Sequence, residues 1–553
     1  MLKRVFSGIL LTLLLVLVVA SAVNIQLVKA EPRTWIVDKD GPADFRWIQD
    51  AINAAGSGDT IFVRAGTYYE SLVINKAVSL VGEQKETTII DGLGVSGSII
   101  YVRSDNVTIN SFTVRNSAPD YFGIYWHQSN YGNIFGNIIE QNTYGLWICN
   151  GCMNNVSNNT VTQNVYGIWL ALESNSNNIT GNIVANTTNI YRGRGIYLVS
   201  YCSSNNIEGN TVTNHLTGIL LDDECGGNTI NRNTVTNNNA SGIYVLRSSF
   251  NTITENTVTD NHYGITITRA NIMRDNNMSG NCYNLGIGAT HLSDLINTCV
   301  DTSNTVNGKP VYYWTYEHDK RVPDDAGYVA IISSINVTVE SLMLADNDVG
   351  VLFAYTSDSI IRDVNAYNNI YGIRLLHCNN CTIIGNNIKN NTEIRHDVPN
   401  LGCGICLEYS CDNVICHNNF ENVEQIYVSK SFNNSWDDGY PSGGNYWSDY
   451  FGLDNCRGPY QNGTGSDGIG DTPYAIDLYN IDPYPLLDPW SLLPGDVNRD
   501  GEVDGKDLAV VAKAFDSHPE SLRWNPLTDL NHDSKIDGKD LTLVAKSLGK
   551  TYV

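Results

Sequence analysis

The chain has 553 residues, with 58 acidic against 34 basic side chains and a formal charge of −24. That excess argues against nucleic acid or an anionic membrane surface as a partner, and it suits solubility and cation binding. Met1-Leu-Lys-Arg is a basic start, Val5 to Val23 an apolar run and Val28-Lys29-Ala30 a small-residue cleavage site, the order of a secretory signal over 1–30. Uncleaved, the same run would just span a bilayer, so a membrane enters only in that case. Either way the remainder is predicted to be secreted or held at the cell surface.

Residues 31–92 read as an N-terminal cap and first coils. Phe45 to Ala55 is an amphipathic helix with Trp47, Ile48, Ala51, Ile52 and Ala55 on one side. It precedes a strand at Gly58-Asp-Thr-Ile-Phe-Val and is predicted to cover the open end of a repeat array, as terminal units must.

From 93 to 427 a degenerate unit of roughly 22 residues recurs. Its key phrase appears as FGIYW around Gly123, YGLWI around Gly145, YGIWL around Gly167, RGIYL around Gly195, TGILL around Gly218, SGIYV around Gly242 and YGITI around Gly264. It returns around Gly350, Gly372 and Gly404. Strands this short, separated by Asn/Gly/Ser turns and lacking helical periodicity, predict an all-β fold, a parallel β-helix in which stacked coils share one core. The Asn-rich turns are expected to be structural, because Asn tolerates left-handed backbone and bonds locally.

Alternation then assigns sides. Residues one and three past each glycine are nearly always aliphatic and face the core. The residue between them faces outward and reads Tyr125, Trp147, Trp169, Tyr197, Leu220, Tyr244, Thr266. Such an outward aromatic column either stacks sugar rings or stabilises the coils by cross-strand pairing.

Asp222, Asp223 and Glu224 follow the Gly218 strand at the edge of that column. Asp222 and Asp223 are the best local candidates for the paired carboxylates of a polysaccharide hydrolase, though neither a hydrolase nor a lyase signature is complete. Asp223, Arg247 and Arg269 share one position on three successive coils. They form either a stripe gripping uronates or a surface ion-pair ladder.

Thirteen cysteines in an exported chain favour disulfides. Cys202 and Cys225 lie at equivalent positions on adjacent coils, within bridging reach, and are predicted to be bonded. Three Cys-x-x-Cys pairs also invite soft metals. For Cys403 and Cys406, however, a spacing of three along a strand predicts opposite faces.

The repeat breaks at 287–327, read as an insertion or irregular coil. An aromatic, Gly- and Asp-rich segment at 428–493 reads as the C-terminal cap.

These features carry a resemblance. Ile48 to Gly92, the Asn-Gly repeats, Val306-Asn-Gly-Lys-Pro-Val-Tyr-Tyr-Trp314 and the closing WDDGYPSGGNYWSDY with GDTPY resemble NosD-like right-handed β-helix proteins over roughly 34–490. That group is also described as carbohydrate-binding and sugar-hydrolysis repeats. The resemblance implies the architecture first. Named members serve copper-enzyme maturation, a weaker reading for this chain.

The tail at 494–550 holds two calcium-type loops, Asp496-Val-Asn498-Arg-Asp500-Gly-Glu502-Val-Asp504-Gly-Lys-Asp507 and Asp529-Leu-Asn531-His-Asp533-Ser-Lys535-Ile-Asp537-Gly-Lys-Asp540. Oxygen ligands at the first, third, fifth and twelfth positions, with a carbonyl at the seventh, wrap one calcium. Each loop leads into an apolar helix, and Asp replaces the final Glu of an EF-hand. The duplicated loop–helix pattern resembles the type I dockerin module. That resemblance implies two calcium ions and docking to a cohesin, read by Gly505 and Lys506 and, by pseudo-symmetry, by Gly538 and Lys539. Ser534 stands where the loop normally has Gly, which would weaken the second site slightly.

Two functions therefore remain open. One is an exported polysaccharide-processing protein, hydrolase or lyase, delivered by its dockerin. The other is a non-catalytic surface β-helix that binds glycans or serves adhesion.

Overall fold

The computed structural model describes residues 31–550 except 394–401, 491, 492, 494, 499–501, 519, 520, 522, 526, 527 and 532–534. The signal segment predicted at 1–30 lies outside the described residues.

The chain is a right-handed parallel β-helix of about 18 turns followed by a small helical module. At its start, helix α1 (Ile48–Ala54) buries Ile48, Ala51 and Ile52. Its first turn has no side-chain cap of its own. The Glu70 carboxylate supplies one, accepting from the N–H groups of Ile48 and Gln49 at 2.9 and 3.0 Å. Trp47, expected on the inner side, is instead 54% exposed.

Successive coils pair in the register that the glycine phrases give. Ile124 lies against Leu146, Tyr125 against Trp147 and Trp126 against Ile148. Leu146, Trp147 and Ile148 then pair with Ile168, Trp169 and Leu170. Residues one and three past each glycine are buried down the stack.

The glycine itself is demanded by close approach. A Cβ on Gly167 would sit 2.5 Å from both the Gly195 carbonyl and Val184 Cγ1. The glycine and the residue after it both turn inward, so the residues before and two after it share the outer face. Strict alternation does not survive this column.

The Asn residues do more than form turns. From Asn137 to Asn304 they occupy one corner of eight consecutive coils, buried, each N–H donating to the next side-chain carbonyl at 2.9–3.3 Å. The amide nitrogen returns a bond to a preceding coil, as from Asn159 to Ile134 O at 2.9 Å. The ladders satisfy corner backbone that burial would otherwise orphan. A second ladder runs from Asn154 to Asn271.

The break expected at 287–327 is where a second solenoid begins. Helix α2 (Leu292–Asn297) covers part of the first core. The Val306-Asn-Gly-Lys309 hairpin then reverses the chain, with Asn307 and Gly308 at positive φ as a tight two-residue turn requires. Strand Lys309–Thr315 opens a new parallel sheet that continues through Tyr328–Ile332, Val349–Ala354, Tyr371–Leu376, Cys403–Glu408 and Ile426–Ser429.

This sheet is a shared wall. Tyr313, Tyr328, Ala330, Ile332 and Leu352 pack into the first core, while Val329, Ile331, Val351 and Phe353 pack into the second. Burial on both faces explains why YVAII and VGVLFA carry no polar alternation. Tyr313 OH to Leu295 O at 2.6 Å and Ile287 N–H to Asp348 Oδ2 at 2.9 Å tie the wall to the first solenoid.

At the far end, rings of Phe420, Trp447 and Tyr474 stack at 4.5 and 4.2 Å over the second core. Asp482 ends an Asn ladder there, accepting from Asn445 N–H and Trp447 Nε1. Burial pushes its carboxyl up to about 7.

In the terminal module, α3 (Gly505–Ala514) and α4 (Gly538–Ser547) each begin with a capping box, at Asp504/Asp507 and Asp537/Asp540. Val503 of the first loop bonds the backbone of Gly549 and Lys550 after α4. Ile536 of the second loop bonds Asp516 and Ser517 after α3. The pairs differ by 33 positions (536 − 503 and 549 − 516), so the duplication is structural as well as sequential.

Candidate functional site

The outer face of the first solenoid carries a strip of aromatic rings. Tyr101, Tyr125, Trp147, Trp169 and Tyr197 follow one another on five coils, with centroids 5.0, 5.3, 5.3 and 5.1 Å apart and interplanar angles of 8–32°. Phe122, Tyr144 and Tyr166, one residue before their glycines, form a second column beside it. Their centroids lie 4.9, 6.1 and 5.2 Å from the rings of Tyr125, Trp147 and Trp169 on the same coils. At these separations neighbouring rings are offset, so each covers only part of the next, like shingles.

Sequence reasoning missed the second column because it carried strict alternation through the glycine. It missed Tyr101 because that phrase, Ile100-Tyr-Val, lacks a glycine. The aliphatic–aromatic–aliphatic pattern there was the available signal.

The strip ends at Tyr197. That residue is 7% exposed and Leu220 5%, so the solvent-facing column expected from Tyr125 to Thr266 closes midway. The Arg194 guanidinium lies 4.4 Å over the Tyr197 ring, and Leu220 separates Tyr244 from the other rings. Both indole nitrogens, Trp147 Nε1 and Trp169 Nε1, are shielded from solvent and bond to no protein acceptor. Burial pushes the Tyr125 hydroxyl up to about 12, with Cys149 beside it; the hydroxyl also meets His127 Nδ1 at 3.1 Å.

The acidic cluster is committed to ion pairs. Arg247 grips both oxygens of Asp222 at 2.9–3.0 Å. Asp223 Oδ2 accepts from Ser200 Oγ at 3.0 Å, and Arg269 meets Glu224 at 3.0 Å. These contacts form an ion-pair ladder on the surface. The ladder joins Asp222 to Arg247 and Glu224 to Arg269, one position off the register expected for Asp223.

Cys202 and Cys225, predicted to be bonded, are fully buried with their thiols in hydrogen-bond contact with each other and no S–S bond between them; Cys202 Sγ also donates to Val199 O at 3.2 Å. Cys403 and Cys406 flank Gly404 and pair with Tyr371 and Arg374, the same two outward positions as the ring doublets. They therefore share a face instead of opposing one another. The glycine column is again the cause.

In the terminal module, Asp507 and Asp540 are fully buried, and Asp496 and Asp529 are 6% exposed. Asp507 Oδ1 accepts from Val497 and Asn498 N–H, and Oδ2 from Asp504 N–H. Asp540 repeats this with Leu530, Asn531 and Asp537. Each loop thus folds around its twelfth residue and gathers carboxylate and amide oxygens, donors that suit calcium. Asp500 and Asp533 lie outside the described residues, and among the described ones no three His, Cys, Asp or Glu side chains converge on one point.

Gly505 and Gly538 open α3 and α4, and a Cβ on either meets nothing within 4 Å. Lys506 and Lys539 follow them on the first turns, both exposed. Lys506 Nζ lies 3.6 Å from Asp504 Oδ2, and Lys506 N–H donates to Asp504 Oδ1 at 2.7 Å. Lys539 N–H donates to Asp537 Oδ1 at 2.8 Å. The physical reason is the cap. The N-cap carboxylate must accept from the residue two positions on, which draws each lysine's backbone, and the Lys506 ammonium as well, toward the calcium loop.

Comparison with known proteins agrees with this architecture. Residues 49–212 match the family described as right handed beta helix region. Segments 184–307, 302–398 and 324–452 match the family described as periplasmic copper-binding protein (NosD), and 494–549 match the dockerin type I domain. The chain is a right-handed parallel β-helix, similar over 184–452 to the NosD family, followed by a tail that matches the dockerin type I domain.

Among solved structures, the mannuronan C-5 epimerase A-module of Azotobacter vinelandii is 12% identical, covers 70% of this chain and 93% of its own, and has a TM-score of 0.37. A PL6 family alginate lyase is 11% identical, with 72% and 79% covered and a TM-score of 0.36. The catalytic domain of a GH87 α-1,3-glucanase in complex with nigerose is 16% identical, with 74% and 68% covered and a TM-score of 0.35. Superpositions this loose carry no chemistry over to this chain. No curated protein matches it. Among the described residues, no helix is long and apolar enough to cross a membrane.

Proposed function

We propose that this chain is an exported, glycan-binding β-helix that is held in a larger complex by its dockerin. The observation that carries the reading is the five-ring strip, whose step of 5.0–5.3 Å is close to the rise of one sugar in an extended polysaccharide. Partly open ring faces suit the C–H surfaces of sugars.

Binding is favoured over cleavage because Asp222 is closed by Arg247 and Asp223 is engaged with Ser200. In the tail, Asp496, Asn498, Asp500 and Asp507 with the Glu502 carbonyl, beside Asp504, would hold one calcium. Asp529, Asn531, Asp533 and Asp540 with the Lys535 carbonyl, beside Asp537, would hold another. Bound calcium would neutralise the buried carboxylates. With Asp504 turned to the ion, Lys506 would be released outward, and the surfaces at Gly505 and Lys506 and at Gly538 and Lys539 would then meet a cohesin.

The test is a polysaccharide panel, scored for both binding and released product, with Trp147→Ala and Trp169→Ala variants whose melting is checked. Binding without product, lost in the variants, supports the reading. Product that disappears in Asp222→Asn or Asp223→Asn would replace it with an enzyme.

A further inference from the structure

The coil between Gly167 and Gly195 is 28 residues long, whereas its neighbours, 145 to 167 and 195 to 218, take 22 and 23. The extra residues form an excursion around Thr187–Gly193, with Tyr191 82% exposed. Its two arginines stand at the strip. Arg194 lies on the Tyr197 ring, and Arg192 acts on Tyr144, where burial, Tyr166 and Asp120 raise the hydroxyl pKa and Arg192 opposes them. At the other end of the strip, the Arg103 guanidinium lies 5.6 Å from the centroid of Tyr101.

None of these three arginines has a carboxylate within ion-pair distance among the described residues. Four other arginines of this solenoid are paired. Arg115 meets Asp91, Arg232 meets Glu208 and Glu255, Arg247 meets Asp222 and Arg269 meets Glu224. Asp222, at the closed end of the strip, is already neutralised by its partner. In a chain of charge −24, three unpaired cations bracketing an aromatic strip are a local reversal of sign. Guanidinium groups pair in a planar, two-pronged way with carboxylates and sulfates.

We propose that the strip binds an anionic polysaccharide lying along the coils from Tyr101 to Tyr197, with Arg103 at one end and Arg192 and Arg194 at the other reading its acidic groups. This rests on the glycan-binding reading above and adds its charge class. The ring faces supply contact that any pyranose can use. The arginines supply the preference, which falls with salt because the pairs are exposed.

The test uses the full chain with calcium, titrated against polygalacturonate, dextran sulfate and dextran at low and high salt. The expected result is binding to one or both acidic polymers at least about tenfold tighter than to dextran, weakening with salt. An Arg103→Gln/Arg194→Gln variant should lose about tenfold or more on the acidic polymer alone, and Trp147→Ala should lose affinity on every polymer bound. The two acidic arms decide between carboxylate and sulfate as the group read. Equal affinity for dextran, or an unchanged double Arg variant that melts as the parent does, overturns the charge class and leaves glycan binding standing. Absence of binding to all three polymers overturns both.

Discussion

His215 donates its backbone N–H to Asn238 Oδ1 at 3.0 Å, yet its imidazole is buried with only the Val184 backbone carbonyl near enough to act on it and no hydrogen bond of good geometry at either ring nitrogen. It occupies a position that Asn holds in most other coils of that corner, as Asn142, Asn164, Asn238 and Asn261 do. The interruption follows the long coil, where Thr187 stands in the same place and the excursion leaves the wall. Burial lowers the His215 pKa from 6.5 to about 4.

A depressed histidine stabilises the fold only while it is neutral. Its contribution is complete above pH 6.5 and is lost as pH falls from 6.5 to about 4, because the unfolded chain takes up the proton first. The shift is worth about 3 kcal/mol. His215→Asn should therefore raise resistance to unfolding at pH 4–5 more than at pH 8. Identical denaturant midpoints for both proteins at pH 4.5 would contradict this.

The glycine column is steric. Gly167→Ala places a methyl 2.5 Å from the Gly195 carbonyl and should cost about 1–3 kcal/mol or more in urea unfolding. Gly209→Ala, at φ +63° with nothing within 4 Å, should cost only the left-handed backbone term of about 1 kcal/mol. Equal losses at the two positions would remove the close-approach account.

The Arg247–Asp222 pair is bidentate but its arginine is 58% exposed. Arg247→Gln should leave the urea midpoint essentially where it is, since an exposed pair is screened by solvent. A clear loss would show that the ladder holds the coils together.

Gly505 and Gly538 have room for a side chain that their own module does not use. Gly505→Ala/Gly538→Ala should melt at or above the parent temperature in calcium, since Ala favours a helix. If these positions and the neighbouring Lys506 and Lys539 face a cohesin, docking should weaken in the same variant. Weakened melting with intact docking would reverse the assignment.

Much of this molecule was legible in its sequence. The glycine phrases fixed which residues pair between coils, so Tyr125, Trp147 and Trp169 fell into register without coordinates. The duplicated Asp-rich loops identified the tail, though not that the N-cap at Asp504 also holds Lys506. Other features were hidden by geometry that a linear pattern does not carry. Counting alternate faces fails at Gly404 and Gly145, where the backbone turns two successive residues inward. The second solenoid was signalled by Asn307-Gly308 and the unbroken apolar run of VGVLFA, but only a shared wall explains why they occur together. The strip closes at Tyr197, just after a coil six residues longer than the one before it (28 against 22), and a repeat count registers that lengthening as noise.

The most direct test of glycan binding on the aromatic strip is hydrogen–deuterium exchange of the full chain with and without a saturating polysaccharide from the panel. The account predicts protection confined to the coils between Tyr101 and Tyr197, with none over the second solenoid, and its loss in Trp147→Ala/Trp169→Ala. Protection centred on the second solenoid, or unchanged in that variant, would contradict it.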